Sequence, residues 1–384
     1  MSTPVLLVAT ATQWFGTARI PRSLTRAGFE VFLLAPKDTL AENSRFIART
    51  QHLPDNATLR QWVDAFADIV ELTSPRLVLP CDDTAFRLLQ TLALSPPGGM
   101  RPESHLQLAG LIADSMGDTR FYRTSVEKTL LPPAAEALGI RVPRYAVIDT
   151  AAAAQSFAAT HGYPIVLKRD HSTAGEGVAI VESSAELAAA FERLARPDPS
   201  ALAPASPSGA VLIQVLVEGD VHYENTAAWN GRRIGGFAVH RLEYADDVKG
   251  PAAVIRCYRS DEIGDFSSRL VHGFGMTGLF ATEYIVERTS GRAYLLEVNR
   301  RMTPGLHVGS RIGVDLCAAL HAAMHGLAPT TRADMDEGEE HLNVHFPQEW
   351  LRDPRSSYLR NHPVDLPWDE PELIKAMLAR RPKS

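Results

Sequence analysis

Three polar residues alternate along one short apolar segment. In YLLEVNRRM, Glu297, Asn299 and Arg301 occupy every second position. Because successive side chains of a strand point to opposite faces, these three share one face. A carboxylate and an amide oxygen suit Mg²⁺, and a guanidinium can neutralise charge on a phosphoryl group during transfer. The pattern predicts a metal-assisted phosphate site, against the simpler interpretation of a strand whose charged face points to water.

A second carboxylate fits the same site. The segment GLFATEYIVERTSGRAYLLEVN predicts a hairpin, and a turn centred on Ser290 would bring Glu283 opposite Glu297. Facing side chains of an antiparallel pair lie about 5 Å apart at Cβ, where two carboxylates repel unless a cation binds both. We therefore predict Glu283, Glu297 and Asn299 as metal ligands. A shift of one residue in the register would separate the two carboxylates.

A glycine-bearing loop follows a lysine in KRDHSTAGEGV. Lys168 ends a predicted strand, and Gly175 and Gly177 would let the loop direct backbone N–H groups at phosphate oxygens. Ser172 and Thr173 would add hydroxyl donors. An ordinary hairpin turn is the alternative. The lysine beside the loop favours a site that binds phosphate.

The segment VLIQVLVEGDVHYEN offers groups for the rest of a nucleotide. Gln214, Val215 and Val217 lie where a predicted strand ends, and the backbone groups there can bind the edge of a purine. His222 and Glu224 follow within reach of a ribose or a phosphate. A histidine on an ordinary strand surface has the same pattern, so this segment alone does not distinguish the two.

The elements that hold these residues follow from the hydrophobic pattern. Over roughly the first 110 residues, short apolar strands alternate with helices, which predicts a parallel sheet covered by helices. Ligands of such sheets gather at the carboxyl ends of the strands, where Gly16, Asp82 and Asp83 stand. Neither GxGxxG nor GxxxxGK[ST] occurs, so the dinucleotide fingerprint and the P-loop are excluded.

Further helices are predicted over 123–138, 184–195 and 314–325. His341 and His345 are four residues apart, but HLNVHF alternates as a strand does, and a half-exposed strand is the favoured interpretation. Arg311, in GSRIGVDL, is predicted either to bind a substrate carboxylate or to begin a helix.

Composition excludes several classes of protein. The chain has 384 residues, of which 45% are hydrophobic and 22% charged, as in ordinary globular proteins. A net charge of −6 argues against a nucleic-acid partner. Three widely spaced cysteines fit neither a disulfide framework nor a cysteine zinc site, and predict a reducing, cytoplasmic location. Since no apolar run is long enough to span a membrane, we expect no membrane partner.

Taken in this order, these elements resemble the ATP-grasp superfamily, the fold of biotin carboxylases, D-alanine ligases and amino-acid ligases. The resemblance covers about Asp118 to His325, and the E-x-N-x-R signature is its specific part. It implies that Lys128 and Lys168 are the two nucleotide-binding lysines, and that Lys168 contacts the α and β phosphates. It further implies that Gln214 to Val217 hold adenine and that His222 and Glu224 form a His-x-Glu pair.

The resemblance thus implies three groups of site residues. The catalytic residues are Arg301 and Lys168. The residues that contact the nucleotide are Lys128, Lys168, Ser172, Gly175, Gly177, Gln214, Val215, Val217, His222 and Glu224. The metal ligands are Glu283, Glu297 and Asn299.

The implied fold class combines α/β and α+β architecture. An N-terminal parallel α/β domain over 1–115, of the kind that precedes ATP-grasp modules, is followed by a module of two α+β subdomains. The first, 116–210, carries the phosphate loop, and the second, 211–330, carries the metal site. Residues 331–384 are predicted to form a C-terminal tail.

The implied activity is that of an ATP-dependent carboxylate–amine ligase of amino-acid or peptide type. The expected cofactors are ATP and Mg²⁺, with Mn²⁺ as a substitute, and the expected substrates are a small carboxylate and a small amine. An acyl phosphate would form, and ADP and phosphate would be released. We expect no nucleic-acid partner, and a homodimer is compatible with the resemblance. The alternatives are a carboxylase that uses bicarbonate as its acid and a nucleotide-binding module without turnover.

Two departures from the family pattern bear on these expectations. The adenine-binding segment usually begins with Glu-Lys, whereas here it begins with Gln214-Val215, which puts nucleotide selectivity in doubt. The usual Asn-Pro-Arg is Asn299-Arg300-Arg301, so Arg300 adds a charge to which the sequence assigns no role.

Overall fold

The structure is a computed structural model that describes residues 2–170, 177–196, 209–245 and 251–379. Ser172, Thr173 and Gly175 of the predicted phosphate loop lie outside the described residues. Among those described, no helix is long and apolar enough to cross a membrane.

The strands, in chain order, have the following bounds: β1 Thr3–Val8, β2 Phe29–Pro36, β3 Ile47–Leu53, β4 Leu77–Pro80, β5 Tyr145–Ile148, β6 Ile165–Arg169, β7 Val178–Val181, β8 Val211–Val215, β9 Gly219–Trp229, β10 Arg232–Tyr244, β11 Ala252–Tyr258, β12 Gly278–Glu287, β13 Ala293–Asn299 and β14 Glu340–Val344.

The α-helices have the following bounds: α1 Phe15–Arg26, α2 Leu59–Thr73, α3 Asp83–Leu94, α4 Pro102–Met116, α5 Leu131–Ala137, α6 Ala151–His161, α7 Ser184–Ala195, α8 Asp261–Gly273, α9 Leu316–Met324, α10 Gln348–Arg352, α11 Ser357–Asn361 and α12 Pro371–Ala379. Short 3₁₀ turns cover Leu40–Asn43, Thr119–Phe121 and Leu306–Arg311.

The chain divides into two compact units. Unit 1 comprises Met1–Arg120, Tyr223–Ala281 and Asn299–Ser384, and unit 2 comprises Phe121–His222 and Thr282–Val298. The division into four segments that the sequence suggests stays a prediction.

Unit 1 begins with the predicted parallel sheet. Its strand order is β3-β2-β1-β4, and β1 pairs in parallel with both β2 and β4. The apolar runs of these strands are buried, with Val5, Leu33 and Leu77 fully enclosed. Burial on both faces explains why β1 and β4 are continuously hydrophobic and not alternating, whereas β3, at the edge of the sheet, is polar and largely unburied. The expected α/β fold of the N-terminal region is confirmed.

Longer antiparallel strands follow in a second sheet. Its order in the described residues is β13-β12-β9-β10-β11-β14. Part of this sheet comes from the segment that the sequence indicates as a tail, because β14 pairs antiparallel with β11. His341 and His345 come from β14 and from the residue directly after it, as the alternation of HLNVHF predicts.

Unit 2 contains a separate antiparallel sheet with the order β5-β8-β6-β7. Helices α6 and α7 pack on it through an apolar core that includes Ala154, Leu187 and Phe191. This sheet places Lys168 near the end of β6, paired with Val178 of β7 and with Leu212 of β8. The expected α+β architecture is confirmed here.

The helix predicted over 123–138 is wrong in its first half, because α5 begins only at Leu131. Pro132 and Pro133 follow directly. Proline lacks an N–H group and crowds the residue before it, so it is accepted in the first turn of a helix but not in its interior. Lys128 and Thr129 therefore lie in the turns that precede the helix.

The three cysteines, Cys81, Cys257 and Cys317, are buried and form no disulfide. Burial in apolar surroundings raises the pKa of each thiol. The prediction that they form no disulfide framework agrees with this arrangement.

Arg300, to which the sequence assigns no role, is an internal anchor of unit 1. Its guanidinium donates to the carbonyl oxygen of Met116. It also lies over the rings of Phe86 and Phe280, with centroid distances of 5.4 and 5.7 Å. The side chain is only 4% exposed. Such cation–π contacts strengthen when the cation is shielded from water.

We expect Arg300→Ala to destabilise the protein by about 2–4 kcal/mol, because it removes buried cation–π contacts and the charged donor to the carbonyl of Met116, which retains only the weaker contact from the N–H of Thr277 at 3.3 Å among the described residues. Denaturant unfolding would measure the loss. Arg60→Ala is the control, at a side chain that is 59% exposed and that, within the part of the chain described, pairs with Asp64 and a surface carbonyl; it should cost about 0.5 kcal/mol or less. Equal losses in the two variants would contradict the anchoring role.

Candidate active site

The predicted hairpin is present, and it presents its polar residues on one face. Strands β12 and β13 are neighbours, and residues 288–292 between them are centred on Ser290. From Glu297 onward burial alternates: Val298 and Arg300 are buried, whereas Glu297, Asn299 and Arg301 are half-buried. The signature residues therefore share the more exposed face of this segment.

Two lysines lie beside the two carboxylates of the hairpin in unit 2. Lys128 Nζ is 4.0 Å from Glu297 Oε2. Lys168 is buried, and burial lowers its pKa to about 8; Glu297 and Glu283 act against this shift, whereas Lys128 adds to it. The structure thus brings together four of the predicted residues, Lys128, Lys168, Glu283 and Glu297. The direct facing of Glu283 and Glu297 stays a prediction.

An aspartate that sequence reasoning missed holds the first lysine's segment in place. Asp170 Oδ1 accepts the backbone N–H of Thr129 at 3.0 Å, and its Oδ2 accepts the Thr129 hydroxyl at 2.5 Å. Since Asp170 follows Lys168 by two residues and Thr129 follows Lys128 directly, this carboxylate links the two segments that carry the lysines. The only signal in the sequence is the closeness of Asp170 to Lys168.

The donor set of unit 2 fits a phosphate ligand and a hard cation. Carboxylate oxygens of Glu283 and Glu297 are the ligands that Mg²⁺ prefers, often together with substrate phosphates. The two ammonium groups are suited to phosphate oxygens. An anion that binds beside a buried lysine raises the pKa of that lysine and so favours its charged form. Gly177, directly before β7, is buried, and its carbonyl accepts the N–H of Arg169 at 2.8 Å.

The predicted adenine-binding segment forms the end of β8 and the residues after it. Gln214 is 2% exposed and lies opposite Tyr145 and Val166 in the sheet. The N–H of Val215 donates to the carbonyl of Arg144 at 2.9 Å, and that of Leu216 to Pro164 at 3.4 Å. These two N–H groups are therefore already bonded within unit 2. His222, which is 9% exposed, also belongs to unit 2.

Glu224, in unit 1, forms a buried ion pair. Its Oε1 accepts from Arg233 Nη2 at 2.7 Å, and its Oε2 accepts from the Thr226 hydroxyl at 2.8 Å. Arg233 also donates to Asp334 at 2.5 Å. Burial alone would lower the pKa of Arg233, but the two carboxylates outweigh it and raise that pKa. Both oxygens of Glu224 are thus occupied, so its role toward a nucleotide stays a prediction.

Arg301, also in unit 1, is held by residues that follow β1 and β4 of the N-terminal sheet. Its Nε donates to Asp83 Oδ1 at 3.0 Å, and its guanidinium lies 5.2 Å from the ring centroid of Trp14. Gly16 makes this approach of chain segments possible, because a Cβ atom there would lie 2.8 Å from Trp14 Nε1 and 3.1 Å from the backbone nitrogen of Pro304. The predicted importance of Gly16 and Asp83 thus has a structural reason in the placement of Arg301.

Asp82 organises the loop that carries Trp14. Its carboxylate accepts the backbone N–H groups of Thr10 and Ala11, at 2.6 and 3.0 Å, and caps α3 through the N–H of Ala85 at 2.8 Å. One side chain therefore fixes both the loop after β1 and the beginning of the helix after β4. The adjacent Asp83 is thereby positioned toward Arg301.

Comparisons with known proteins agree with this arrangement. A family model of the ATP-grasp domain matches residues 133–304. That range includes Lys168, Glu283 and the E-x-N-x-R signature, and Lys128 lies five residues before it. Residues 133–304 form an ATP-grasp domain.

Two curated relatives share part of the sequence. The D-alanine–D-alanine ligase of Ectopseudomonas mendocina (strain ymp) is 27% identical over 170 residues, which cover 44% of this chain and 52% of the relative. The formate-dependent phosphoribosylglycinamide formyltransferase of Janthinobacterium sp. (strain Marseille) is 26% identical over 307 residues, 75% of this chain and 68% of the relative. Of several other curated relatives, the chain spans only 14 to 19% of the length.

A solved structure supports the fold beyond the ATP-grasp domain itself. The biotin carboxylase complex from Campylobacter jejuni superimposes with a TM-score of 0.66 over 89% of this chain and 75% of the other, at 13% identity. The likeness therefore extends to regions outside residues 133–304, and at this identity it concerns the fold alone.

The lowered pKa of Lys168 predicts how nucleotide binding to the ATP-grasp domain depends on pH. Below about pH 8 this lysine is protonated and attracts phosphate; above it the free site loses that charge. If the bound phosphate keeps the lysine charged, affinity for MgADP should fall about tenfold between pH 7 and pH 9. Isothermal titration calorimetry at the two pH values measures the ratio.

Lys168→Arg is the matched variant, because a guanidinium remains charged at both pH values. The ratio of its affinities for MgADP at pH 7 and pH 9 should be close to one, once the ionisation of the nucleotide phosphates is corrected for. An identical ratio in the wild type and in Lys168→Arg would show that Lys168 is not the titrating phosphate ligand.

Proposed function

We propose that this protein is an ATP-dependent carboxylate–amine ligase that acts through an acyl phosphate. The observation that supports it most is the group of two lysines and two glutamates in unit 2, where Lys128 lies 4.0 Å from Glu297 and both glutamates act on the pKa of Lys168. Opposite charges gathered around a buried ammonium fit a metal–phosphate complex better than a plain surface strand.

The lysines would position the nucleotide. Lys168, buried and held near the end of β6, would bind the α and β phosphates, and Lys128 would bind a further phosphate oxygen. Phosphoryl transfer depends mostly on positioning and on neutralising charge. A lysine that is already ordered by its sheet loses little conformational freedom when phosphate binds, so its charge is in place before the reaction begins.

Glu283, Glu297 and Asn299 would hold the divalent cation, Mg²⁺ or Mn²⁺ in its place. When bound, such a cation neutralises charge on the transferred phosphoryl group and orients its oxygens. The carboxylates of the protein would balance the charge of the cation, and the amide oxygen of Asn299 would add a neutral ligand.

Arg301 would stabilise the transferred group at the substrate carboxylate. Its guanidinium is held by Asp83 and stacked on Trp14, so it stays oriented without a ligand. The carboxylate oxygen attacks the γ-phosphorus, the bond to the bridging oxygen of ADP breaks, and an acyl phosphate results. The amine nitrogen then attacks the acyl carbon, phosphate leaves, and the nitrogen loses a proton.

The relatives support the reaction class and leave the substrates open. The name of the D-alanine–D-alanine ligase states that it joins two amino acids, and the name of the formyltransferase states that it depends on formate. Both fit a reaction that activates a carboxylate before an amine attacks it. The proposal names the reaction class, and it assigns recognition of the acid and of the amine to no single residue.

The order of the chemistry predicts what trapping should detect. With MgATP and the acid substrate alone, ADP release should be slow, because only water can consume the acyl phosphate. Hydroxylamine should accelerate it and yield the hydroxamate of that acid, and the amine substrate should restore full turnover with one ADP and one phosphate for each amide. A panel of amino acids, tested singly and in pairs, supplies the candidates, with mass spectrometry of the products.

Other outcomes of the same assay distinguish the alternatives. AMP and pyrophosphate would mean adenylation and would contradict the acyl phosphate. Strict dependence on bicarbonate would identify a carboxylase instead. Tight binding of MgADP without turnover for any acid–amine pair would favour a nucleotide-binding module.

The metal assignment makes a separate prediction. Glu297→Gln should reduce ATP consumption by about a thousandfold or more, because it removes a charged ligand while changing little volume. Glu287→Gln is the control, since it makes the same change at the end of β12, in the same hairpin, and should retain activity. Circular dichroism would establish that both variants fold. Near-normal turnover in a folded Glu297→Gln variant would exclude Glu297 as an essential metal ligand.

A further inference from the structure

Two histidines and an aspartate meet in the interior of unit 1, and the proposed ligase reaction uses none of them. His307 lies in the 3₁₀ turn Leu306–Arg311, His345 directly follows β14, and Asp365 lies between α11 and α12. They are 8%, 1% and 3% exposed, respectively. Three segments that are far apart in sequence thus bring ionisable side chains to one buried place.

The three side chains converge on each other. His307 Nε2 is 2.8 Å from Asp365 Oδ2, and His345 Nδ1 is 2.9 Å from the same oxygen. One potential metal-ligating atom from each residue lies within 4.8 Å of the others. The second oxygen, Asp365 Oδ1, accepts the backbone N–H of Phe346 at 2.7 Å, which fixes the direction of the carboxylate.

The charge states suit a cation that takes nitrogen ligands. Burial would raise the pKa of Asp365, but Arg19 and the two histidines outweigh it and hold that pKa well below its usual range, so the carboxylate is ionised. Burial, with Arg19, lowers the pKa of His307 to about 4, so this imidazole is neutral at pH 7. A neutral imidazole and an ionised carboxylate are the forms in which these residues bind metals.

Hydrogen bonding within the described residues leaves the cluster incomplete. His307 Nδ1, His345 Nε2 and Arg19 Nη1 are buried and have no hydrogen-bond partner there. Asn343 turns its amide nitrogen toward the cluster, 3.4 Å from Asp365 Oδ2 and 3.2 Å from His345 Nδ1. Its oxygen points away and accepts from Arg311 Nη1 at 3.0 Å, so it is not a further ligand for an ion. The two ring nitrogens are the ones that do not face Asp365, so an ion beside Asp365 would not contact them. Arg19 Nη1 is the buried donor that a water or hydroxide at the cluster would satisfy, and buried polar atoms are rarely left without a partner.

The donor set selects the kind of ion. Two imidazole nitrogens and one carboxylate oxygen match Zn²⁺, whereas Mg²⁺ and Ca²⁺ take oxygen ligands. With metal–ligand distances of about 2.0–2.1 Å, tetrahedral coordination places ligand atoms about 3.3 Å apart. The nitrogen–oxygen separations of 2.8 and 2.9 Å would therefore have to lengthen by about half an ångström.

We propose that His307, His345 and Asp365 bind one Zn²⁺ ion, with water or hydroxide as the fourth ligand. The positive charge of Arg19 lies close by, since its Nη1 is 4.0 Å from Asp365 Oδ1. One carboxylate does not neutralise a divalent ion beside an arginine, and a hydroxide ligand that accepts from Arg19 would supply the missing charge. The ion would join the turn after the signature, the edge strand β14 and the C-terminal segment.

The test uses the full-length protein and Co²⁺ as a spectroscopic substitute for Zn²⁺. After treatment with a chelator, the protein should bind one Co²⁺ per chain and develop the visible absorption bands of tetrahedral cobalt, and Zn²⁺ should abolish these bands. Asp365→Asn and His345→Asn should each remove them. Elemental analysis of the protein as purified should detect zinc and not a stoichiometric amount of iron.

The control for incidental binding is the histidine pair His321, on α9, and His325, directly after α9. Their rings lie 4.6 Å apart, and their Nε2 atoms both contact the Thr3 hydroxyl. Their double replacement by alanine should leave the cobalt bands unchanged. Bands that survive Asp365→Asn but disappear in the double variant would overturn the proposal.

A measurement on the wild type covers the case in which the buried variants fail to fold. An ion that binds only the folded chain raises its melting temperature. Equimolar Zn²⁺ should raise the melting temperature of the chelator-treated protein by a few degrees, and Mg²⁺ at the same concentration should not. No cobalt bands and no zinc-dependent shift in the wild type would show that the cluster is held by hydrogen bonds alone.

Discussion

The physical constraint on which unit 2 depends is the burial of a positive charge. Lys168 is 8% exposed, and Lys128, itself 8% exposed, stands near it. Two cations in a poorly hydrated place repel each other and lose solvation, so carboxylates must be close. The hairpin supplies them through Glu283 and Glu297, and Asp170 fixes the segments on which the lysines sit. The sheet, the hairpin and the turns before α5 are therefore parts of one electrostatic arrangement.

Local patterns were sufficient to predict much of this arrangement. The hairpin, the strand that ends near Lys168 and the helix Ser184–Ala195 follow from alternation and helical periodicity, which depend on residues close in sequence. The same reasoning failed at 123–138, where Pro132 and Pro133 delay the helix. It also gave no structure to the tail, because an edge strand such as β14 is defined by its partner β11 as much as by its own residues.

The pairings that position the site could not be predicted from the sequence, for a physical reason. Asp83 and Arg301 are 218 positions apart, and Trp14 is farther still from Arg301. Nothing in either segment specifies the other, since an aspartate after a strand serves equally well as a helix cap. Arg233 beside Glu224 and Asp170 beside Thr129 illustrate the same point. Functional residues that lie on one strand can be predicted from the local sequence, whereas the residues that hold them in place are defined only by the assembled fold.

Adjacent arginines, Arg300 and Arg301, point to opposite sides of one strand end, and their separation has a consequence for how this protein can vary. In the usual Asn-Pro-Arg form of the signature, rigidity would come from the proline ring and would require no neighbour. Here rigidity comes from Phe86, Phe280 and the carbonyl of Met116. The shape of the signature thus depends on core residues that are distant from it in sequence. A conservative change such as Phe86→Leu, far from the signature in sequence, would remove a ring that holds Arg300 and would thereby alter the shape of the signature.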